Sequence, residues 1–146
     1  VRSYALEHAV FDVNGTLAVD GTLVADVDML LARLSQQIKI HMLTADTHGQ
    51  QTLIDQQLGL QATIITRGAL EKASIVKALG GENVIAIGNG ANDAAMFAAA
   101  GLAVAILGEE GLAVATLQAA DVVVSRPQDA IRLLLHPDRL RATLRR

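Results

Sequence analysis

The sequence predicts an α/β fold, a three-layer Rossmann-like sandwich with a mostly parallel sheet between helices. Two observations carry this expectation. Short apolar runs rich in β-branched residues recur along the chain with little polar alternation, the pattern of strands buried on both faces. Between them lie segments rich in Ala, Leu and Gln with helical spacing, and strand alternating with helix implies right-handed crossovers and parallel pairing.

The first strand is expected over residues 8–13. A small hairpin follows at residues 18–23, where Asp20-Gly21 stands between apolar residues, and it would lie as a flap over the strand's carboxyl end. A helix over 27–36 sets Leu30, Leu31 and Leu34 on one face, and a strand over 38–43 comes next. Helix 48–58, strand 62–66, helix 70–79, strand 83–87, helix 92–99 and strand 102–106 continue the alternation. The pentapeptide Gly-Leu-Ala-Val-Ala begins at Gly101 and again at Gly111. The first copy reads as strand and the second as a helix over 111–119, because Glu109 and Glu110 before it favour a helix N-terminus. A strand over 121–124 follows. Arg126, Arg132, Arg139, Arg141, Arg145 and Arg146 then make the C-terminus basic, read as a solvated final helix. No linker, charge block or low-complexity segment divides the chain, so residues 1–146 are expected to form one domain without an inserted cap domain.

Composition excludes several function classes. At 51% hydrophobic, 146 residues hold enough apolar material for a buried core. Lys+Arg 12 against Asp+Glu 15 leaves a net charge of −3, so no overall basic field attracts nucleic acid. Tyr4, Phe11 and Phe97 are too few aromatics for a base-stacking platform. Without cysteine there is no disulfide, thiolate nucleophile or zinc–sulfur site, and His8, His41, His48 and His136 show no paired ligand spacing. The longest uncharged stretch, 94–107, is too short for a bilayer, which needs about 20 residues. No basic region followed by an apolar block marks a signal peptide, and the expected location is the cytoplasm.

In an open parallel sheet, ligands bind outside the carboxyl ends of the strands. The first strand ends in Asp12-Val13-Asn14-Gly15-Thr16, and the second in Thr44-Ala45-Asp46. Lys72 falls near the start of the helix after the third strand, whereas Lys77 lies more than a turn further along. The fourth strand ends in Gly88-Asn89-Gly90-Ala91-Asn92-Asp93. Carboxylate, hydroxyl, ammonium and a Gly-rich turn suit an anionic, phosphate-like substrate with a hard divalent cation. Other readings are weaker. Asp20 and Asp46 fit turn and cap roles, and the sequon Asn14-Gly15-Thr16 sits at a strand end of a chain expected in the cytoplasm. Asp93 occupies the third glycine position of a dinucleotide fingerprint, where it would repel pyrophosphate.

These four motifs in this order, over residues 8–129, resemble the haloacid-dehalogenase-like phosphohydrolase superfamily. Residues 72–79 leading into the Gly-rich turn, and the segments beginning at Gly101 and Ala119, are similar to the phosphorylation domain of P-type ATPases and to its small soluble relatives. The resemblance implies a nucleophile at Asp12 that forms an aspartyl-phosphate, with Asn14, Thr44 and Lys72 at the other catalytic positions. It implies phosphate contacts at Gly15, Thr16, Thr44, Ala45, Lys72 and Asn92. It also implies Mg²⁺ held by Asp12, the Asn14 carbonyl and Asn89, with Asp93 reaching the ion mainly through water. Independently of any family, a carboxylate attacks a dianion only if cations screen their repulsion.

Two positions depart from the family pattern. Asn14 stands where phosphatases of the family carry an aspartate that protonates the leaving oxygen and later activates water. Asn donates a hydrogen bond but moves no proton. Asn89 stands where the family has a metal-ligand aspartate, so the cation loses one negative charge. The expected activity is therefore slow, Mg²⁺-dependent phosphoryl transfer of the phosphatase type on a phosphorylated substrate. The alternative is a non-catalytic or regulatory module that senses phosphate or binds a partner. With no cap, the crevice would be open to a large substrate, or closed by another copy of the chain.

Overall fold

The computed structural model describes residues 5–45 and 51–145. Its elements run β1 His8–Asp12, the hairpin strands β2 Ala18–Val19 and β3 Thr22–Leu23, α1 Val27–Leu34, β4 Lys39–Thr44 and α2 Gln51–Leu58. They continue with β5 Thr63–Ile64, α3 Ala69–Ala78, β6 Val84–Gly88, α4 Ala94–Ala99, β7 Leu102–Ile106 and α5 Val114–Ala119. β8 Val122–Val124, α6 Pro127–Leu135 and α7 Pro137–Leu144 complete the chain. Single turns of 3-10 helix, Gly81–Asn83 and Ala91–Asp93, lead into β6 and α4.

A six-stranded sheet has the order β5-β4-β1-β6-β7-β8, with every pairing parallel. The winding reverses between β1 and β6, and a crevice opens at the carboxyl ends of strands where such a reversal occurs. Alternation along the central strands sends side chains to two cores. Phe11, Ile85, Ile87, Leu102, Val104 and Ile106 share one core with Leu31 and Leu34 of α1 and Ile131 of α6. Val10, Val84, Ala86, Ala103 and Ala105 meet Val76 of α3 and Met96 and Phe97 of α4 on the other face. The three alanines leave room for the two large side chains opposite, which are buried.

The β2–β3 hairpin turns at Asp20 and Gly21, whose φ values of 52° and 80° are those of a two-residue I′ turn. No further domain is inserted between β1 and β4.

Three expectations are corrected. The helix expected over 111–119 begins only at Val114, because Gly111 takes φ 83° and its N–H closes a turn onto Gly108 (3.0 Å). The helix expected over 92–99 opens as 3-10 and becomes α-helical at Ala94. The basic C-terminus is two helices, since Pro137 has no N–H to continue the first. The first is not a solvated helix: Ala130, Ile131 and Leu134 of α6 are buried in the core with α1. Asp46, residues 48–50 of the expected second helix, and Arg146 lie outside the described residues. Among the described residues no helix is long and apolar enough to cross a membrane.

Candidate active site

β1 delivers Asp12 to the point where the sheet reverses, and the chain turns at once. The N–H groups of Gly15 and Ala18 donate to Ala18 O (2.7 Å) and Val13 O (2.9 Å), and that of Thr16 donates to Val13 O (3.2 Å). The tight turn explains why Asn14 and Gly15 follow the strand directly. It also uses the backbone donors of Gly15 and Thr16, so neither residue offers its amide to a phosphate. The Thr16 hydroxyl is buried and donates to Asn89 Oδ1 (3.4 Å) rather than into the crevice. In the structure both residues shape the turn.

β4, the neighbour of β1, ends in Thr44, whose hydroxyl accepts a hydrogen bond from Asn14 Nδ2 (3.0 Å). The Asn14 amide is thereby held against the strand end next to Asp12. Ala45 and Asn92 line the same cleft, which has a volume of about 570 Å³.

The first turn of α3 aims Lys72 under the crevice. Its ammonium donates to Asp12 Oδ1 (2.9 Å), to Asp93 Oδ1 (2.8 Å) and to Asn92 Oδ1 (3.4 Å), using all three donors. Lys72 is 3% exposed, whereas Lys77 points to solvent. Burial alone would push the Lys72 ammonium down. The Asp12 and Asp93 carboxylates and the hydrogen bonds they accept outweigh it and hold the group above its ordinary value.

The turn after β6 is organised by Asp93. Its Oδ2 accepts the N–H groups of Asn89 and Gly90 (3.1 Å each), its Oδ1 is taken by Lys72, and the residue is wholly enclosed. A Cβ at Gly88 would overlap this carboxylate, so the glycine is required by close approach. Asp93 thus faces inward, with both of its oxygens engaged within the protein. Asn89 lines the cleft and donates from Nδ2 to Gly111 O (3.2 Å).

One carboxylate cannot be paired fully by this arrangement. Burial pushes Asp12 up, the Asp93 charge adds to it, Lys72 opposes it, and Glu110 raises it further, leaving the carboxyl at about 7 against an ordinary 3.8. Among the described residues the second oxygen of Asp12 accepts no hydrogen bond, and no three carboxylates or imidazoles converge to hold a metal. Sequence reasoning missed Glu110, which lines the cleft with Gly111. Its place before an Ala-rich segment suggests a helix start. The positive φ that Gly111 can adopt was the available signal for a turn instead.

Residues 64–131, which include Lys72 and the Gly88–Asp93 turn, match the family model described as haloacid dehalogenase-like hydrolase. An uncharacterized protein of Methanocaldococcus jannaschii is 40% identical over 80 residues, 52% of this chain and 86% of that protein. The fold is similar to 3-deoxy-D-manno-octulosonate 8-phosphate phosphatase of Moraxella catarrhalis, with TM-score 0.74 and 17% identity over 97% of this chain and 94% of the other. It is also similar to part of a zinc-transporting PIB-type ATPase in the E2·Pi state, with TM-score 0.66 and 27% identity over 84% of this chain and 20% of that one. The sheet order, the placement of Asp12, Lys72 and the Gly-rich turn at its reversal, and these matches lead to one assignment: the chain belongs to the haloacid dehalogenase-like hydrolase family, as a member without a cap domain.

Proposed function

We propose that the chain is a slow, divalent-cation-dependent phosphohydrolase that works through Asp12, with Mg²⁺ as the ion. The observation that carries this reading is the Lys72 bridge, which holds Asp12 Oδ1 at 2.9 Å and leaves Oδ2 without a hydrogen bond among the described residues. Oδ2 is the nucleophile. Its attack on the phosphorus of a bound ester forms the Asp12–phosphate bond and breaks the bond to the ester oxygen. Water then attacks the same phosphorus and returns Asp12 and inorganic phosphate. Lys72 offsets negative charge beneath the nucleophile, and the Asn14–Thr44 pair stands beside the transferring group.

The donor set fits a hard cation, since the Asp12 carboxylate, the Asn14 carbonyl and the second lone pair of Asn89 Oδ1, whose first takes the long Thr16 contact, all offer oxygen. When bound there, Mg²⁺ supplies the positive charge that lets a carboxylate approach a phosphate dianion. The Moraxella phosphatase, similar in fold, was crystallised with magnesium and phosphate ions, which supports the choice of ion. Asn14 can hold the ester oxygen by hydrogen bonding but cannot protonate it, so the leaving group takes its proton from water. Lack of a general acid costs about 10²–10⁴-fold in rate.

A second reading, a phosphate-sensing module without turnover, is favoured by the two neutral amides at Asn14 and Asn89. One experiment separates the two. Beryllofluoride with Mg²⁺, followed by ¹⁹F NMR, should report a bound phosphate mimic that Asp12→Ala abolishes, and a phosphoester panel should show slow Mg²⁺-dependent phosphate release. Binding without release selects the sensing module. The absence of both binding and release refutes both readings.

A further inference from the structure

The turn after β7 brings a carboxylate to the edge of the cleft that Asn14 and Asn89 line. The Gly111 N–H closes it onto Gly108 O (3.0 Å), with Glu109 and Glu110 at its corners. Two hydrogen bonds fasten it to the Gly-rich turn: Asn89 Nδ2 donates to Gly111 O (3.2 Å), and Ala113 N–H donates to Asn89 O (3.0 Å). On its other side it lies against the turn after β1. The Glu110 carboxyl carbon is 3.3 Å from where a Cβ on Gly15 would stand, a place left open because Gly15 has none. Glu110 therefore reaches the edge of the cleft between Gly15 and Asn89, and its charge is felt by Asp12. Glu109, its neighbour in the same turn, does not line the cleft.

We infer that Glu110 supplies the second carboxylate for the divalent cation of this site, in place of the charge that Asn89 lacks. The inference rests on the proposed cation site at Asp12. Mg²⁺ is usually held by one or two carboxylates, waters and substrate phosphate, so a cage of three protein carboxylates is not required. Asp93 is not placed to serve as the second, because it is wholly enclosed and does not line the cleft, with Lys72 and two backbone amides on its oxygens. Glu110 is solvent-exposed, so its side chain is free to turn toward the ion or to hold one of its waters.

Calorimetric titration of Mg²⁺, and of Mn²⁺ as a tighter-binding probe, into the phosphate-free protein tests this apart from any activity. Glu110→Gln should weaken binding by about 10-fold or more, while Glu109→Gln should not change it. In an Asn89→Asp background the Glu110→Gln loss should shrink, because the missing carboxylate is restored. Asp12→Asn should abolish binding in every background. Unchanged affinity in Glu110→Gln, with Asp12→Asn still abolishing binding, overturns the role of Glu110 and leaves the cation site standing. Equal losses for Glu109→Gln and Glu110→Gln reduce the effect to the general field of the turn and also overturn it. If neither ion binds the unmodified protein, the cation site falls and this inference with it. Thermal melting in chelator should be the same for both glutamine variants, which excludes unfolding as the cause of lost affinity.

Discussion

Replacing Asp12 by asparagine in the cation-free protein should raise its stability at pH above 7, although it removes the nucleophile. The carboxyl ionises at about 7 in the folded protein and near 3.8 when unfolded. Between those values the folded state holds a proton that the unfolded chain has released, so stability falls as pH rises through this window and levels off on either side. The gap corresponds to about 4 kcal/mol of penalty on ionising Asp12. The Asp12→Asn variant escapes that penalty, in which the lost attraction to Lys72 is already counted. The gain is about 4 kcal/mol, which for a chain of this size is a rise of about 12 °C in Tm. Melting curves in chelator at about pH 8 and pH 4 check this, with the gain present at the first and absent at the second. An Asp12→Asn variant that melts lower than the native protein at pH 8, or a gain that ignores pH, refutes the electrostatic reasoning.

Two further substitutions test the machinery. Asn14→Asp restores a proton donor and base beside the phosphoryl group and should raise phosphate release by on the order of 10²-fold; a folded, Mg²⁺-binding variant with unchanged turnover would remove the slow-enzyme reading. Lys72→Met leaves Asp12 and Asp93 buried without their shared counter-charge and should cost about 3–5 kcal/mol in chelator at neutral pH. Denaturant unfolding measures that loss, and a variant within about 1 kcal/mol of the native protein would contradict the bridge seen at 2.8 and 2.9 Å.

The sheet was legible because its strands are buried on both faces, so apolar runs marked them with little ambiguity. β5 shrank to two residues because it is an edge strand with one neighbour, and its two residues are exposed. Positions fixed by strand ends, Asp12 and Thr44, could be read from the sequence, and so could Lys72, since a helix start limits where a lysine can aim. Orientations could not. Gly88-Asn89-Gly90 suggests a ligand-binding turn, but only the close packing at Gly88 reveals that Asp93 turns inward to bind the amides of Asn89 and Gly90. Thr16 likewise looks like a phosphate contact until the fold brings Asn89, 73 residues away in sequence, against its hydroxyl. Glu110 was hidden for a local reason. Two acidic residues before an Ala-rich segment favour a helix start, and a glycine at positive φ overrides that preference.

The asparagines at 14 and 89 share an electrostatic consequence. Asp12 is already raised by burial and by the Asp93 and Glu110 charges. Aspartates at both positions would bring two more carboxylates to the same cleft, each raising the cost of ionising Asp12 when no cation is bound. The amides keep hydrogen bonds that a carboxylate would not make in the same sense, from Asn14 to Thr44 and from Asn89 to Gly111. On the proposed reading, the two neutral amides favour a site that tolerates the cation-free state. The double variant Asn14→Asp/Asn89→Asp should accordingly melt below the native protein in chelator, and further below it than Asn14→Asp alone. A common saturating Mg²⁺ concentration should narrow the difference, because the variant's tighter site gains more, about 1.4 kcal/mol for each 10-fold lower Kd. Paired melting curves with and without Mg²⁺ decide the matter. A double variant as stable as the native protein in chelator would show that Asp12 does not feel these two positions, and the charge argument for their neutrality would fail.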